Sequence, residues 1–355
     1  MMPWKNGFRH LRYEKDAMTK LLVLEEKSVF DRHASQALLS ECDITLMSQF
    51  SPVEAVIARG QNTDILLVNP TITVCRELIE ALPRLKLIQT EGVGYEGVEL
   101  DAANERGIYV CNCRGVNAAA VAEHTVMLML CCLRDVINGQ NDVLEGRQNE
   151  KKVFYMQSGM LRELGDCTVG FVGYGAIGRE AARLARAFGA RTLYTKPHPA
   201  DNEYAEFCAL DRLLSESDIV SLNLPLTKET EGMADREFFR KMKKGAILIN
   251  TARGGLVNSR DLLEALADGQ LSMAGLDVLD HEPVQPDHIL LTAPENIRKK
   301  MIFTPHIAGV SASAFRRTYD IILENVRHIA AGERPINVVN HFHSHSCCPS
   351  PLEAV

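Results

Sequence analysis

The sequence predicts an α/β fold made of two doubly wound parallel-sheet domains, one inserted into the other. Three observations carry this prediction. Short apolar, strand-like runs alternate with helical patterns, which implies parallel strands joined by helical crossovers. The alternation occurs in two series, separated by a long run rich in Ala, Leu and Met at 118–138. A last helical run at 312–331 follows the second series and is expected to cross back to the first. The expected boundaries are therefore 18–116 plus 313–340 for one domain and 117–312 for the other, with disordered tails at 1–17 and 341–355.

In the first series, strands are expected at 20–24, 43–46, 64–69, 85–90 and 108–110. Helices are expected near 34–41, after Ser51-Pro52, at 74–82 and at 98–106, the last closed by Gly107. Ser51 reads as an N-cap and Pro52 as the first helical residue, since proline lacks only an N–H that has no helical partner there. The 118–138 run reads as one buried helix. The second series gives a strand at 168–172, a helix at 176–188 and a strand at 191–195. Further strands fall at 219–222, 246–250 and 273–276, and the last helix ends at Gly332, ahead of Pro335. Arg298-Lys299-Lys300 reads as a solvated loop tip. The cleft between two such domains is the expected ligand site.

Bulk properties narrow the function classes. A chain of 355 residues with 46% hydrophobic and 24% charged side chains is expected to form two globular domains. A formal charge of −7 argues against a nucleic-acid partner. No apolar run is long enough to span a bilayer, so no membrane partner is expected. The N-terminal residues lack the apolar core of a secretory signal. The ten cysteines are scattered through apolar runs, as reduced thiols of a cytoplasmic protein would be. Cys111-x-Cys113 and Cys131-Cys132 lack second ligand pairs at zinc spacing, so no metal site is expected. His341, His343, His345, Cys347 and Cys348 are read as part of a disordered tail rather than as metal ligands.

Between the strand at 168–172 and the helix at 176–188 lies Gly173-Tyr174-Gly175-Ala176-Ile177-Gly178. The first glycine permits the tight turn, and the second lets backbone approach a pyrophosphate. The third lets helix and strand pack closely, with the diphosphate on the helix N-terminus. The flanking strand and helix give the motif the context it needs, and the domain reads as a Rossmann-like dinucleotide binder. The second strand of such a unit usually ends in an acid that binds the ribose 2′-hydroxyl of NAD. Here it runs into Thr195-Lys196-Pro197-His198. Thr195 and Lys196 suit a 2′-phosphate, so NAD and NADP both remain open.

Three more segments fall at strand ends or in loops: Thr251-Ala252-Arg253-Gly254-Gly255, Asp277-Val278 followed by His281-Glu282-Pro283, and Thr304-Pro305-His306-Ile307-Ala308-Gly309. Carbonyl reduction needs a proton donor beside the oxygen and a cation for a neighbouring carboxylate. Histidine titrates near neutrality and suits the first task. Arginine offers a planar fork that stays charged. A carboxylate beside the histidine keeps it protonated. His306, Arg253 and Glu282 fit these roles.

The order and wording of these segments resemble the D-isomer-specific 2-hydroxyacid dehydrogenases, over about residues 20–339. Gly92-Val93-Gly94-Tyr95 resembles that family's substrate-carboxylate loop, so Val93 and Gly94 are expected to meet the acid. Ala122-Glu123-His124-Thr125 resembles the start of its long interdomain and dimer helix, which implies a homodimer. Leu224-Pro225-Leu226-Thr227 with Thr230 resembles its loop beside the adenosine. By the same resemblance Thr251, Ala252, Asp277, His306 and Gly309 lie on the cofactor side, with Asp277 near the carboxamide. The first domain would then be flavodoxin-like and bind the substrate. His306 would act as acid and base, Glu282 would pair with it, and Arg253 would hold the substrate carboxylate.

The implied reaction is hydride transfer between NAD or NADP and a small 2-oxo or 2-hydroxy acid such as glyoxylate, hydroxypyruvate or pyruvate. Asn69 stands where phosphoglycerate-specific members commonly have arginine, which disfavours 3-phosphoglycerate dehydrogenase as the alternative. A formate dehydrogenase would carry glutamine in place of Glu282. A rival of another class is an NAD(H)-sensing transcriptional co-repressor.

Overall fold

A computed structural model describes residues 18–200 and 204–341. The expected disordered tails lie outside the described residues, apart from exposed His341. The chain divides into two compact units. One takes the residues up to Val116 and from Phe315 onward, and the other is Asn117–Ala314.

The first unit is built on strands β1 (Thr19–Leu24), β2 (Cys42–Met47), β3 (Ile65–Val68), β4 (Leu87–Thr90) and β5 (Tyr109–Cys111). They form one parallel sheet in the order β2-β1-β3-β4-β5. Side chains alternate between faces along each strand. Leu22, Leu24, Leu66, Val68, Ile88 and Val110 pack with Val56, Leu78 and Ala102 on one face. Leu21, Val23, Ile65, Leu67, Leu87 and Cys111 pack with Phe30, Leu38 and the last helix on the other. That helix, Ala312–Ala331, contributes Tyr319, Ile322, Val326 and Ile329. Burial on both faces explains why these strands read as continuous apolar runs rather than as an alternating pattern.

In the second unit, β6 (Thr168–Val172), β7 (Arg191–Thr195), β8 (Glu206–Phe207), β9 (Ile219–Leu222), β10 (Ala246–Asn250), β11 (Leu271–Leu276) and β12 (Met301–Phe303) form a parallel sheet. Its order is β12-β11-β10-β9-β6-β7-β8. The order reverses between β6 and β9, and the carboxyl ends of strands at such a switch point are where open α/β sheets bind ligands.

The structure corrects four local expectations. Residues 34–41 do not open a helix at Ala34. Lys27–His33 and Gln36–Glu41 are separate helices, and the Ser35 hydroxyl caps the second by accepting from the Leu38 N–H at 3.1 Å. Ser51 is not an N-cap: the helix Val53–Gly60 starts after Pro52, whose carbonyl accepts from the Ala55 and Val56 N–H groups. The 118–138 run is not one helix. It stops at Leu133, and Asp135 turns left-handed at φ 48°. Buried Asp135 holds the break by accepting from Asn138 Nδ2 at 2.6 Å and the Tyr155 hydroxyl at 2.7 Å. Helices Val136–Leu144 and Gln148–Ser158 follow. Lys300 is no solvated tip, because its Nζ donates to the Leu266 carbonyl at 2.6 Å.

Candidate active site

The glycine turn sits at the switch point. Gly173 has φ 90°, and a Cβ there would lie 2.4 Å from the Asn223 carbonyl, just past β9. A Cβ on Gly178 would lie 2.5 Å from the Gly173 carbonyl, so strand and helix meet backbone to backbone. Gly175 differs: nothing lies within 4 Å of the position a Cβ would take. It is also the N-cap of helix Ala176–Ala187 and offers no side chain to the first N–H groups. The turn thus presents open space in front of uncapped donors, which is what a diphosphate requires. Tyr174 is buried and stacked on Tyr194 with ring centroids 4.0 Å apart. At the end of β7, Thr195 accepts from the Gly173 N–H, and half-buried Lys196 has no ion-pair partner among the described residues.

Arg253, Glu282 and His306 line one cavity of about 640 Å³ in the second unit. Arg253 follows β10, and its Nη1 donates to the Ala252 carbonyl at 2.8 Å. Next to it a Cβ on Gly254 would lie 1.9 Å from the Leu279 carbonyl carbon. Only glycine lets the arginine segment pass so close to the loop that carries Glu282. His306 is held with φ 54°, its own N–H donating to the Asp277 carbonyl at 2.8 Å. Its Nδ1 meets Glu282 Oε2 at 2.5 Å, while Glu282 Oε1 accepts from the Leu279 N–H at 3.0 Å. Nε2 is the ring nitrogen left for a substrate.

The hydrogen bond from Glu282 raises the His306 pKa above its usual value, against the opposing effect of desolvation. Burial alone would raise the Glu282 carboxyl. The bonds from His306 and the Leu279 N–H, with the Arg253 charge, outweigh it and hold the carboxyl low. The pair therefore favours imidazolium beside carboxylate.

Three side chains expected at the cofactor are engaged by the chain itself. Asp277 turns inward, and its side chain is 1% exposed. Its Oδ1 accepts from the Thr304 hydroxyl at 2.5 Å and the Ile307 N–H at 3.0 Å, and its Oδ2 from the Ala308 N–H at 2.8 Å. It thereby shapes the loop that presents His306. The Thr251 hydroxyl meets that of Thr125 at 2.8 Å. The Thr230 hydroxyl closes its own loop on the Pro225 carbonyl at 2.8 Å, next to Leu224. Gly309 packs on Asn117, whose Nδ2 is 2.8 Å from where its Cβ would be. A participant missed from sequence is His124, whose Nε2 lies 2.9 Å from the Thr304 hydroxyl and 3.5 Å from Asp277. Val93 and Gly94 lie in the loop after β4 of the first unit. The eight described cysteines carry free thiols, six of them buried.

The fold and these residues define a nicotinamide-dependent dehydrogenase, and the comparisons agree. The model of the NAD binding domain of D-isomer specific 2-hydroxyacid dehydrogenases matches residues 126–308. A hydroxypyruvate reductase of Blautia hydrogenotrophica is 34% identical over 85% of this chain and 92% of its own length. A glyoxylate reductase of Korarchaeum cryptofilum is 37% identical over 81% and 86%. A solved NAD-dependent formate dehydrogenase from Staphylococcus aureus, in complex with NAD, superposes with a TM-score of 0.76. It is 30% identical, over 89% of this chain and 97% of that one. The chain belongs to the D-isomer-specific 2-hydroxyacid dehydrogenase family. It is an oxidoreductase of CH–OH donors that reduces small 2-oxo acids with NADH or NADPH. No helix among the described residues is long and apolar enough to cross a membrane.

Proposed function

We propose that the protein is a hydroxypyruvate or glyoxylate reductase of the cytoplasm, with His306 as acid and base, Glu282 as its partner and Arg253 as the carboxylate holder. The observation that carries the chemistry is the 2.5 Å contact of His306 Nδ1 with Glu282 beside Arg253 on one cavity. The bound nicotinamide supplies the hydride. His306 Nε2 delivers a proton to the carbonyl oxygen during reduction and takes one from the hydroxyl during oxidation. Arg253 grips the carboxylate and fixes which face of the carbonyl is presented. Val93 and Gly94, in the first unit, are read as offering backbone N–H groups to a substrate carboxylate.

The small, unphosphorylated substrate is supported by the end of β3. There Asn69 Nδ2 donates to Glu25 Oε2 at 2.9 Å, so an acid, not a cation, stands where a phosphate would be read. The two relatives, a hydroxypyruvate reductase and a glyoxylate reductase, favour this choice. The test is a panel of glyoxylate, hydroxypyruvate, pyruvate and 3-phosphohydroxypyruvate with NADH and with NADPH. A preference for the phosphorylated acid would overturn the substrate assignment. Near-normal turnover by His306→Ala would overturn the catalytic one.

A homodimer completes this reading. Helices Val136–Leu144 and Gln148–Ser158 bury none of their side chains fully. They expose Leu144 at 77% and Met156 at 76%, with Ile137, Val143 and Phe154 beside them. An apolar surface of this kind suits a second copy of the chain. Leu144→Glu with Met156→Glu is expected to give a monomer in sedimentation; an unchanged mass would refute the assignment.

A further inference from the structure

Glu91 immediately precedes the Gly92-Val93-Gly94 loop, and it is buried where a carboxylate is poorly solvated. Both its carboxyl oxygens are closed to solvent, and neither completes a hydrogen bond of good geometry. It follows β4 and faces Glu25, which follows β1 and is 3% exposed. It also faces the Tyr319 hydroxyl of the last helix, which is buried and completes no hydrogen bond of its own. Glu25 is anchored on its other side, by Asn69 Nδ2 and by the Glu26 N–H at 2.7 Å. The remaining titratable groups nearby are the Cys113 thiol beyond β5 and His33, whose ring lies 6.4 Å from that of Tyr319. No lysine or arginine pairs with either glutamate among the described residues. With no donor on either oxygen, no cation beside it and Glu25 facing it, an ionised Glu91 would be poorly stabilised, so its carboxyl retains a proton.

The loop above them is fixed by its carbonyls. The Gly92 carbonyl accepts from the Thr90 hydroxyl at 3.2 Å and the Cys113 N–H at 2.7 Å. The Val93 carbonyl accepts from Asn112 Nδ2 at 2.7 Å. The Val93 and Gly94 N–H groups meet no acceptor among the described residues. Gly92 is wedged as well: a Cβ there would lie 2.7 Å from Pro70 Cγ.

We propose that Glu91 holds a proton beside Glu25 and beneath the 92–94 loop that receives the substrate carboxylate, and that loss of this proton weakens substrate binding. This rests on the reading of that loop as a carboxylate site. Glu91 is a positioning residue here, not a catalytic one. Once the proton leaves, two buried negative charges repel each other beneath a loop that must receive a third. Burial, reinforced by Glu25, pushes the Glu91 carboxyl up to about 8. Glu91 thus keeps its proton at neutral pH and gives it up within the range of ordinary assays.

The test is KM for hydroxypyruvate or glyoxylate, with saturating cofactor, between about pH 7 and about pH 9.5. In the wild type KM is expected to rise roughly thirtyfold, the ratio set by about 1.5 pH units beyond the transition. In Glu91→Gln it should stay within about twofold, while the pH dependence of kcat, which belongs to His306, stays as in the wild type. A rise in Glu91→Gln parallel to the wild type would overturn the proposal. Val93→Pro separates it from the loop reading by deleting one N–H. If Val93→Pro leaves KM unchanged at neutral pH, the loop reading fails. If it raises KM while Glu91→Gln keeps the wild-type rise, the proposal alone fails. Should Glu91→Gln not fold, infrared difference spectra of the wild type decide. A protonated-carboxyl band must disappear between the two pH values, and its absence overturns the proposal.

Discussion

Replacing Glu282 by glutamine keeps the size of the side chain and removes its charge. The bond weakened is the 2.5 Å contact with His306 Nδ1, which loses its charged acceptor. A hydrogen bond to a charged group contributes about 1.5–3 kcal/mol. These side chains are 46% and 34% exposed, so solvent screening puts the effect at the lower end. About 1.5 kcal/mol corresponds to roughly a tenfold loss in kcat for reduction at neutral pH. The pH profile is more diagnostic than the rate. Glu282 raises the His306 pKa, so glutamine lowers it. Reduction needs the imidazolium, and its alkaline limb should move to lower pH. Oxidation needs the neutral ring, and its acid limb should move the same way. The assay is NADH absorbance in both directions across pH, with Glu282→Asp as a control that keeps the charge. If both limbs stay where the wild type has them, Glu282 does not tune His306.

The glycine turn should separate binding from folding. Gly175→Ala enters open space and is expected to leave Tm unchanged while raising the cofactor KM about tenfold or more; Gly178→Ala meets the Gly173 carbonyl at 2.5 Å and should cost about 1–3 kcal/mol in denaturant unfolding. Equal effects of the two on Tm would contradict their different surroundings. Asp277→Ala strands the Thr304 hydroxyl and the Ile307 and Ala308 N–H groups. Its expected cost is about 2–4 kcal/mol of stability, with kcat falling as the His306 loop loosens; a variant with wild-type Tm and kcat would show the loop is held otherwise. Lys196→Ala should raise the KM for NADPH about tenfold and leave that for NADH unchanged, and a parallel change in both would remove Lys196 as a 2′-phosphate contact.

The parts of the fold written in local pattern were legible. The central strands of both sheets stood out as apolar runs because helices cover both faces, and the last helix, Ala312–Ala331, stops just before Gly332 as expected; the two edge strands β8 and β12 were not foreseen, being only two and three residues long. The break at Asp135 was not legible. The apolar run passes through it, and what bends the chain is a side-chain bond to Tyr155, twenty residues on. Arg253, Glu282 and His306 could be singled out because reduction of an acid requires those side-chain types. The inward turn of Asp277 could not, since its partner His124 is distant in sequence and nothing local marks their meeting. Nothing local marks Glu91 either, because Glu25 and Tyr319, which face it, come from the end of β1 and from the last helix.

The last helix has a consequence for how the chain is made. Tyr319, Ile322, Val326 and Ile329 cover one face of the β2-β1-β3-β4-β5 sheet, yet they follow the whole Asn117–Ala314 unit. During synthesis the strands of that sheet emerge first and must wait, with Leu21, Val23, Ile65 and Leu67 lacking their cover, while about two hundred residues of another unit are translated. The inserted unit has all its strands and their covering helices in hand before the earlier one receives its last helix. The unit begun first is therefore finished last, and its exposed sheet face is the stretch of the nascent chain most in need of a chaperone.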